Sequence, residues 1–337
     1  MEVPCIAIPR EDGEEGRQAL ADAGVLDDDY QIVNDEGTLF IPVTDPTAVP
    51  DRFETTLQEL PARQTVKTPA DVLGYEPSLE RLGDVVIVDE DDPDRADEIA
   101  EAVMASDLPA RSVLNRASKI KGELRVRDWE VLAEREDTAR SPTETVHREY
   151  GHEFLVDLAA VYFSPRLATE RHRVVDQIQP GERVLDMFAG VGPFAIPAAS
   201  RGAEVVAVDL NETAVDYCRE NARRNGVCDS LTAISGDVRE VASDYYGWAD
   251  RLVMNLPHSA GAFLDTAVDL AGEECVIHYY DIQHDSDPFG PGIEAIQAAA
   301  EPAYDVTVET EHVVRSYAPH EVNVCLDVRL TRSEANC

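Results

Sequence analysis

From Arg183 onward the chain alternates strand-like and helical segments, and that alternation limits the fold more than any other feature. The strand-like runs "RVLDMF", "EVVAVDL", "LTAISGD", "RLVMNLP" and "CVIHYYDI" are interleaved with helical stretches, "PFAIPAASRG", "ETAVDYCRENARRNG", "AGAFLDTAVDLAG" and "GIEAIQAAAE". Alternation of this kind builds a parallel sheet, because parallel neighbours need a crossover between them. A terminal pair, "DVTVETEHVV" and "EVNVCLDVRL", completes the set. Open sheets of this class take ligands at the carboxyl ends of their strands, so those ends are where chemistry is expected.

Each of the first four ends carries a polar residue or a turn. In "VLDMFAGVGPFA", Asp186 closes a strand, Phe188 follows, and Gly190 and Gly192 let the backbone approach a ligand before a helix begins. Gly190-x-Gly192-x-x-Ala195 fits a dinucleotide fingerprint, which alone is weak evidence. Asp209 ends the next strand, where a carboxylate can take two ribose hydroxyls; NAD and S-adenosylmethionine (AdoMet) would both use it. Asp237 and Val238, in "GDV", close the third strand, and Asn255-Leu256-Pro257 closes the fourth. Any one acid could be a helix cap, but a series at successive strand ends is poorly explained that way.

The remaining 165 residues or so read as smaller units. Residues 1–60 hold a strand "CIAIP", a helix "EEGRQALADAGV" ending at Gly24, and a hairpin around Asp35-Glu36-Gly37. A Pro- and Thr-bearing connector, "DPTAVPDRFETTLQELPARQTVKTP", leads out. Residues 68–164 start with strand "GDVVIVDE" and helix "DRADEIAEAVMAS", and they end in "REYGHEFLVDLAAVYFSP", whose alternation fits strands along its length. Residues 165–337 form the alternating part. The expected architecture is therefore α/β, with two smaller α/β or α+β domains preceding a Rossmann-like one.

Charge constrains the partner. The net charge is −38, with 67 acidic residues against 29 basic ones, and only Lys67, Lys119 and Lys121 among the latter are lysines. Affinity for nucleic acid comes mainly from Lys and Arg, so this balance argues against it at first sight. An acidic, Lys-poor surface also resembles that of halophiles, where salt screens self-repulsion; the charge then reports the solvent. One stretch departs from it. "RSVLNRASKIKGELRVR", 111–127, holds Arg111, Arg116, Lys119, Lys121, Arg125 and Arg127 against Glu123, a net of +5, which favours an anionic partner. Six cysteines and eight histidines are dispersed, with no CxxC spacing, so neither a disulfide framework nor a metal site is expected. The acidic start lacks a secretory signal and no apolar run approaches the ~20 residues of a membrane span; a cytoplasmic protein is expected.

Asp-x-Phe-x-Gly-x-Gly, then the ribose Asp, then "GDV", then Asn-Leu-Pro is an order similar to that of class I AdoMet-dependent methyltransferases. The resemblance implies that Leu210 packs against adenine and that Asp237 and Val238 face its edge. In amino-N methyltransferases an Asn/Asp-Pro-Pro-aromatic turn holds the nucleophile; here Leu256 and His258 break that pattern, which turns attention to a ring nitrogen. "SKIKGELRVRDWEVLAERED", "TVHREYGHEFLVDLAAVYFSPRLATER", "DMFAGVGPFAIP", "GDVREV", "MNLPHSA", "VIHYYDI" and "SYAPHE" together resemble the archaeal and eukaryotic tRNA (guanine-37-N1)-methyltransferase family over about residues 111–330.

That resemblance implies methyl transfer from AdoMet to N1 of guanosine 37, supporting reading-frame maintenance. Guanine N1 carries a proton, so attack needs a base and stabilisation of charge on O6. By resemblance Glu170 is the base, Arg125 reaches O6, Tyr162 stacks on the flipped base, and Asn255 positions the base edge or the methionine carboxylate. Arg171 lies beside the cofactor, while Pro257, Arg166, Lys119 and Lys121 join the substrate side. The first domain is expected to contact the folded tRNA body and the basic island the anticodon stem-loop; a monomer with no obligatory protein partner and no membrane contact follows the family's habit. Four rivals remain: an aminocarboxypropyl transferase of the wyosine pathway, another class I RNA methyltransferase, an NAD-dependent oxidoreductase, and a non-enzymatic RNA-binding module.

Overall fold

Strand β1 (Glu2–Pro9) leads through α1 (Gly13–Asp22) to β2 (Val33–Asp35), β3 (Thr38–Pro42) and β4 (Thr55–Glu59), which form an antiparallel sheet in the order β2-β3-β1-β4. The computed structural model describes residues 2–63, 66–119, 122, 124–135 and 140–333, and the chain divides into two units, Met1–Thr68 and Pro69–Cys337. In the first, Glu36 and Gly37 have φ of 47° and 91°, the left-handed pair that a two-residue hairpin turn requires. Leu20 of α1 packs on Ile6, Ile8 and Ile41. Strand β4 falls inside the stretch expected to be a connector. Its polar sequence, TTLQE, shows no apolar alternation, and it is a strand because β1 supplies backbone partners from Glu2↔Glu59 to Ile6↔Thr55.

The second unit starts with α2 (Pro69–Leu73), β5 (Glu80–Leu82), β6 (Val85–Val88), α3 (Pro93–Ala105), β7 (Ser112–Arg116) and β8 (Trp129–Glu134), a mixed sheet in that strand order. Helix α3 begins where the Asp92 side chain accepts from the Asp94 N–H and Pro93 supplies a preset φ. It crosses between β6 and β7, which are parallel. A hairpin follows, β9 (Glu144–Glu149) and β10 (His152–Asp157), turning at Tyr150 and Gly151. The run expected to be strand up to Pro165 stops here. The Asp157 carboxylate accepts from the Ala159 N–H at 2.9 Å and its carbonyl from Ala160 and Val161, curling the chain out of the ladder.

Next come α4 (Ala168–Val175), β11 (Arg183–Asp186), α5 (Ala195–Ser200), β12 (Glu204–Asp209), α6 (Glu212–Arg224), β13 (Leu231–Ser235), α7 (Val238–Val241), β14 (Ala249–Met254), α8 (Leu264–Leu270), β15 (Ala271–His284), α9 (Gly290–Ala300), β16 (Tyr304–Ala318) and β17 (Glu321–Arg332). Seven strands order as β13-β12-β11-β14-β15-β17-β16; the first five are parallel, and β17 and β16 close one side antiparallel. The chain's direction of travel across the sheet reverses between β11 and β14, which opens a crevice at their carboxyl ends. One core runs from Leu82, Ile87 and Leu114 through Phe154 to Val184 and Ala214, so the segments read as second and third domains share side-chain packing.

Helix α6 also completes the edge of β10. Asn221 accepts from the Leu155 N–H at 2.7 Å and donates to the Leu155 carbonyl at 3.2 Å and to the Val191 carbonyl at 3.0 Å. One turn later, Asn225 accepts from the Glu153 N–H at 3.0 Å and returns a bond to its carbonyl at 2.7 Å.

Candidate functional site

A cleft of about 880 Å³ lies over the carboxyl ends of β11, β12, β13 and β14, within the ~300–1,000 Å³ usual for cofactor sites. Its floor is the loop after β11. Gly190, with φ of 54°, presents its N–H to the Asp209 carboxylate at 2.7 Å; Gly192, with φ of 89°, differs from expectation in not lining the cleft, since it packs against Cys218 and Ile196 beneath the loop. Asp209 also accepts from the Asn211 N–H at 2.8 Å, and burial raises its pKa. With about four lone pairs, this carboxylate keeps acceptor capacity toward the cleft. Phe188, Leu210, Asp237, Val238, Asn255 and Pro257 line the same space. Leu210 is half exposed there, an apolar face offered to a ligand.

The donor set fits an adenosine-bearing group: an open glycine loop, a strand-end carboxylate for hydroxyls, and apolar faces for a planar ring. Asp237 divides its duties, since its side chain caps α7 and pairs with Arg239. Asp186 differs from expectation. It is fully buried beneath the loop and does not line the cleft; one oxygen accepts from the Phe188 N–H at 3.3 Å and the other has no partner. Burial, with the Asp209 charge adding, pushes its pKa up to about 7.

At the far end of the cleft Arg125 lies over Tyr162, 5.4 Å from the ring centroid to the guanidinium carbon. Arg125 has φ of 54°, a left-handed conformation that costs a non-glycine residue about 1–3 kcal/mol and is characteristic of binding sites. Arg171 also lines the cleft, but its donors are committed: two bonds reach Glu149 at 2.8 and 2.6 Å and two reach the Ser164 carbonyl at 3.1 Å. It braces the segment that carries Tyr162.

Glu170 is placed behind the cleft wall. It is 5% exposed and absent from the lining. Arg173 donates to both its oxygens at 2.8 Å, Tyr280 donates to Oε1 at 2.7 Å, and His312 Nε2 lies 3.2 Å from Oε2. Burial raises the Tyr280 pKa far above 10, so that hydroxyl stays a donor. Arg173 continues to Asp327 at 2.6 Å, Asp327 to His278 Nδ1 at 2.6 Å, and His278 Nε2 to Arg251 at 2.6 Å. Arginine only donates, so His278 is neutral with its proton on Nδ1. Desolvation lowers the His278 pKa accordingly. Burial opposes ionisation of Asp327, but the bonds from His278 and Arg173 outweigh it and hold that carboxyl well below the usual range. His278, Cys325 and Asp327, dispersed in sequence, thus come within metal-ligand distance of one another, with both ring nitrogens of the histidine already engaged.

The basic island is less free than its composition suggests. Arg111 is buried and bound to Glu134, Asp84 and backbone carbonyls, while Arg116 pairs with Glu80 and Asp89. Arg166 pairs with Glu80 at 2.9 Å. Lys119 is exposed, and Lys121 lies outside the described residues. Sequence reasoning overlooked Arg315, Tyr317 and Asn323, which β16 and β17 bring to the cleft. The Asn323 side-chain oxygen is buried there without a partner, and Tyr317 bonds His258 at 3.1 Å. Tyr317 alone had a signal, the "SYAPHE" run, which carried no role by itself; Arg315 and Asn323 fall just outside it. Among the described residues no helix is long and apolar enough to cross a membrane.

Fold and cleft together define a class I, Rossmann-like methyltransferase. More narrowly, the chain belongs to the TRM5/TYW2 methyltransferase family: that family's methyltransferase domain matches residues 145–309, the tRNA methyltransferase 5 N-terminal domain residues 5–51, and the TYW2 N-terminal domain residues 67–137. It is 37% identical over 336 residues to tRNA (guanine(37)-N(1))-methyltransferase Trm5b of Pyrococcus abyssi, covering 97% of this chain and 98% of the relative. A tRNA(Phe) (4-demethylwyosine(37)-C(7)) aminocarboxypropyltransferase of Methanocaldococcus jannaschii is 32% identical over 256 residues, 75% of this chain and 98% of that protein. Among solved structures, Pyrococcus abyssi Trm5b superposes with a TM-score of 0.69 at 36% identity, covering 98% of this chain and 99% of that one. A complex of aTrm5 with tRNALeu gives 0.72 at 33%, covering 97% and 99%.

Proposed function

We propose that this chain transfers the methyl group of AdoMet to N1 of guanosine 37 in tRNA. The observation that carries it is the single cleft holding both the Gly190–Asp209 cofactor end and the Arg125–Tyr162 pair, in a chain similar to Trm5b along its whole length. The similarity to the tRNA methyltransferase 5 N-terminal domain favours this over aminocarboxypropyl transfer, whose relatives align over three quarters of the chain. A glycine-loop match alone would serve an NAD enzyme equally well, and the Asn255-Leu256-Pro257 turn argues for methyl transfer.

AdoMet supplies an electrophilic methyl group when bound. Asp209 and the Gly190 loop hold its ribose side, Leu210, Asp237 and Val238 its ring. Tyr162 stacks on the extruded guanine, Arg125 donates to O6 as charge moves there, and Asn255 and Pro257 fix the nucleophilic edge. Glu170 takes the N1 proton. At rest it stands outside the cleft lining, so its carboxylate has to leave the bonds from Arg173 and Tyr280 to reach N1. A cytoplasmic place, where tRNA is processed, goes with this activity.

The test is methyl transfer from labelled AdoMet, in molar KCl, to unmodified tRNA transcripts carrying G37 or A37, with Glu170→Gln beside wild type. N1-methylguanosine on the G37 transcript alone, reduced about a hundredfold or more in the variant, is expected. No product with either transcript while AdoMet still binds would reject the assignment.

A further inference from the structure

Beside the main cleft lies a second cavity of about 160 Å³, and arginines from four separate parts of the chain converge on it. Arg116 ends β7, Arg125 and Arg127 belong to the segment before β8, Arg166 precedes α4, and Arg315 is on β16. Glu80 is the one carboxylate in the lining, and it is already shared between Arg116 and Arg166. Among the described residues no carboxylate lies within ion-pair distance of Arg125, Arg127 or Arg315. In a chain with 67 acidic residues, leaving three neighbouring guanidinium groups unpaired is a cost in self-repulsion that a bound anion would relieve.

The polar atoms agree. The Nε atoms of Arg116, Arg125 and Arg315 are buried and have no acceptor, and each such donor costs desolvation energy until it is satisfied. Arg127 lies over Trp129, 5.5 Å from its ring centroid, and burial together with the Arg116 charge disfavours its protonated form. A guanidinium fork suits phosphate oxygens. The cavity is too small for a nucleotide, and Arg125, Tyr162 and Arg315 line both it and the main cleft. A phosphate joined to whatever occupies that cleft would therefore fall within reach of these guanidinium groups.

We propose that this cavity is a phosphodiester seat, in which Arg127 and Arg315 grip a backbone phosphate of the nucleotide whose base lies against Tyr162. The inference rests on the RNA substrate proposed above. It separates two duties of the arginine cluster: Arg125 faces the base, and its neighbours hold the backbone that keeps the base extruded.

The full-length protein tests it, with G37 transcripts bearing a single methylphosphonate on the 5′ or the 3′ side of residue 37. One of the two should lower kcat/KM of the wild type about ten- to a hundredfold, the loss of a charge-assisted contact. Arg127→Gln and Arg315→Gln should lower kcat/KM for the unmodified transcript similarly, and the methylphosphonate should then cost them little more. AdoMet affinity of Arg127→Gln should equal that of wild type, which shows that the variant is folded. Additive losses, or full tolerance of both methylphosphonates, would overturn the proposal. So would inorganic phosphate competing as well against the methylphosphonate transcript as against the unmodified one, since the seat would then serve free phosphate. If the wild type fails to methylate the unmodified transcript, the activity reading falls separately; filter binding of the same RNAs still reports whether retention depends on that phosphate and on Arg127.

Discussion

Replacing Asp327 with Asn should destabilise the second unit by about 3–5 kcal/mol, the usual loss when one member of a buried ion pair is neutralised. Asp327 is 1% exposed and accepts from Arg173 at 2.6 and 3.1 Å, from His278 at 2.6 Å and from Gln177 at 3.0 Å. An amide can keep one acceptor for His278, but its NH₂ then faces the donors of Arg173 and Gln177. One charge-assisted bond is lost at about 1.5–3 kcal/mol, a donor–donor conflict replaces another, and the Arg173 charge loses half its compensation. Asp250, paired with Arg183 and 35% exposed, is the comparison: Asp250→Asn should cost roughly 1 kcal/mol or less. Urea unfolding followed by circular dichroism, in low salt and in molar KCl, measures both. The Asp327 loss should persist in salt, because counterions do not reach a buried pair, while the Asp250 loss should vanish. The sign with pH is also fixed. A carboxyl whose folded pKa is depressed contributes fully above its unfolded value near 4 and loses that contribution only as pH falls through the lower folded value. The wild-type minus Asp327→Asn difference should thus be flat from pH 5 to 8. A loss below 1 kcal/mol, or one abolished by salt, would refute the reasoning.

Asp186 behaves oppositely. Its folded pKa of about 7 exceeds its unfolded value, so the folded state holds the extra proton and stability should fall as pH rises from about 4 to 7; thermal melts of Asp186→Asn should lack that slope, and parallel profiles would contradict it. Gly192→Ala places a Cβ 3.0 Å from Cys218 Sγ and Ile196 Cγ1 at a φ of 89°, which should cost about 1–3 kcal/mol and weaken AdoMet binding by calorimetry; an unchanged melting temperature with unchanged affinity would count against the cradle. Tyr162→Ala should lower kcat/KM for tRNA about ten- to a hundredfold, the worth of one stacked base, while Tyr162→Phe stays near wild type; equal losses in the two would assign the effect to the hydroxyl instead.

What the sequence made legible is local. Gly190, Asp209 and Asn255 come together on one cleft because a parallel sheet gathers its strand ends into one crevice, so adjacency in the fold follows from position in each repeat. The hairpin at Glu36-Gly37 was readable because two left-handed residues in a row demand that chemistry. Contacts between distant segments were not. Arg173 and Asp327 lie 154 positions apart, and nothing in "ATERHRVV" or "VCLDVRL" marks one as the other's partner. For the same reason the network that encloses Glu170 could not be read from its neighbours, and Arg111, counted in an island facing an anionic partner, is buried under backbone carbonyls instead. Strand β4 escaped because its pairing with β1, and no pattern of its own, makes it a strand.

The amides of Asn221 and Asn225 stand in for a neighbouring strand along β10, and this has a consequence for synthesis. A two-stranded hairpin is marginal by itself, and its free edge is open to pairing with any other extended chain. The asparagines lie 66 to 72 residues downstream of the positions they cover. At about 5–20 residues per second, the ribosome leaves that edge open for several seconds before α6 can reach it. In that interval the nascent chain is vulnerable to misassembly. It ends when two side chains on one helical face arrive, after which Asn221 ties the newly closed edge to the Val191 carbonyl, and the hairpin and the glycine loop become a single mechanical piece.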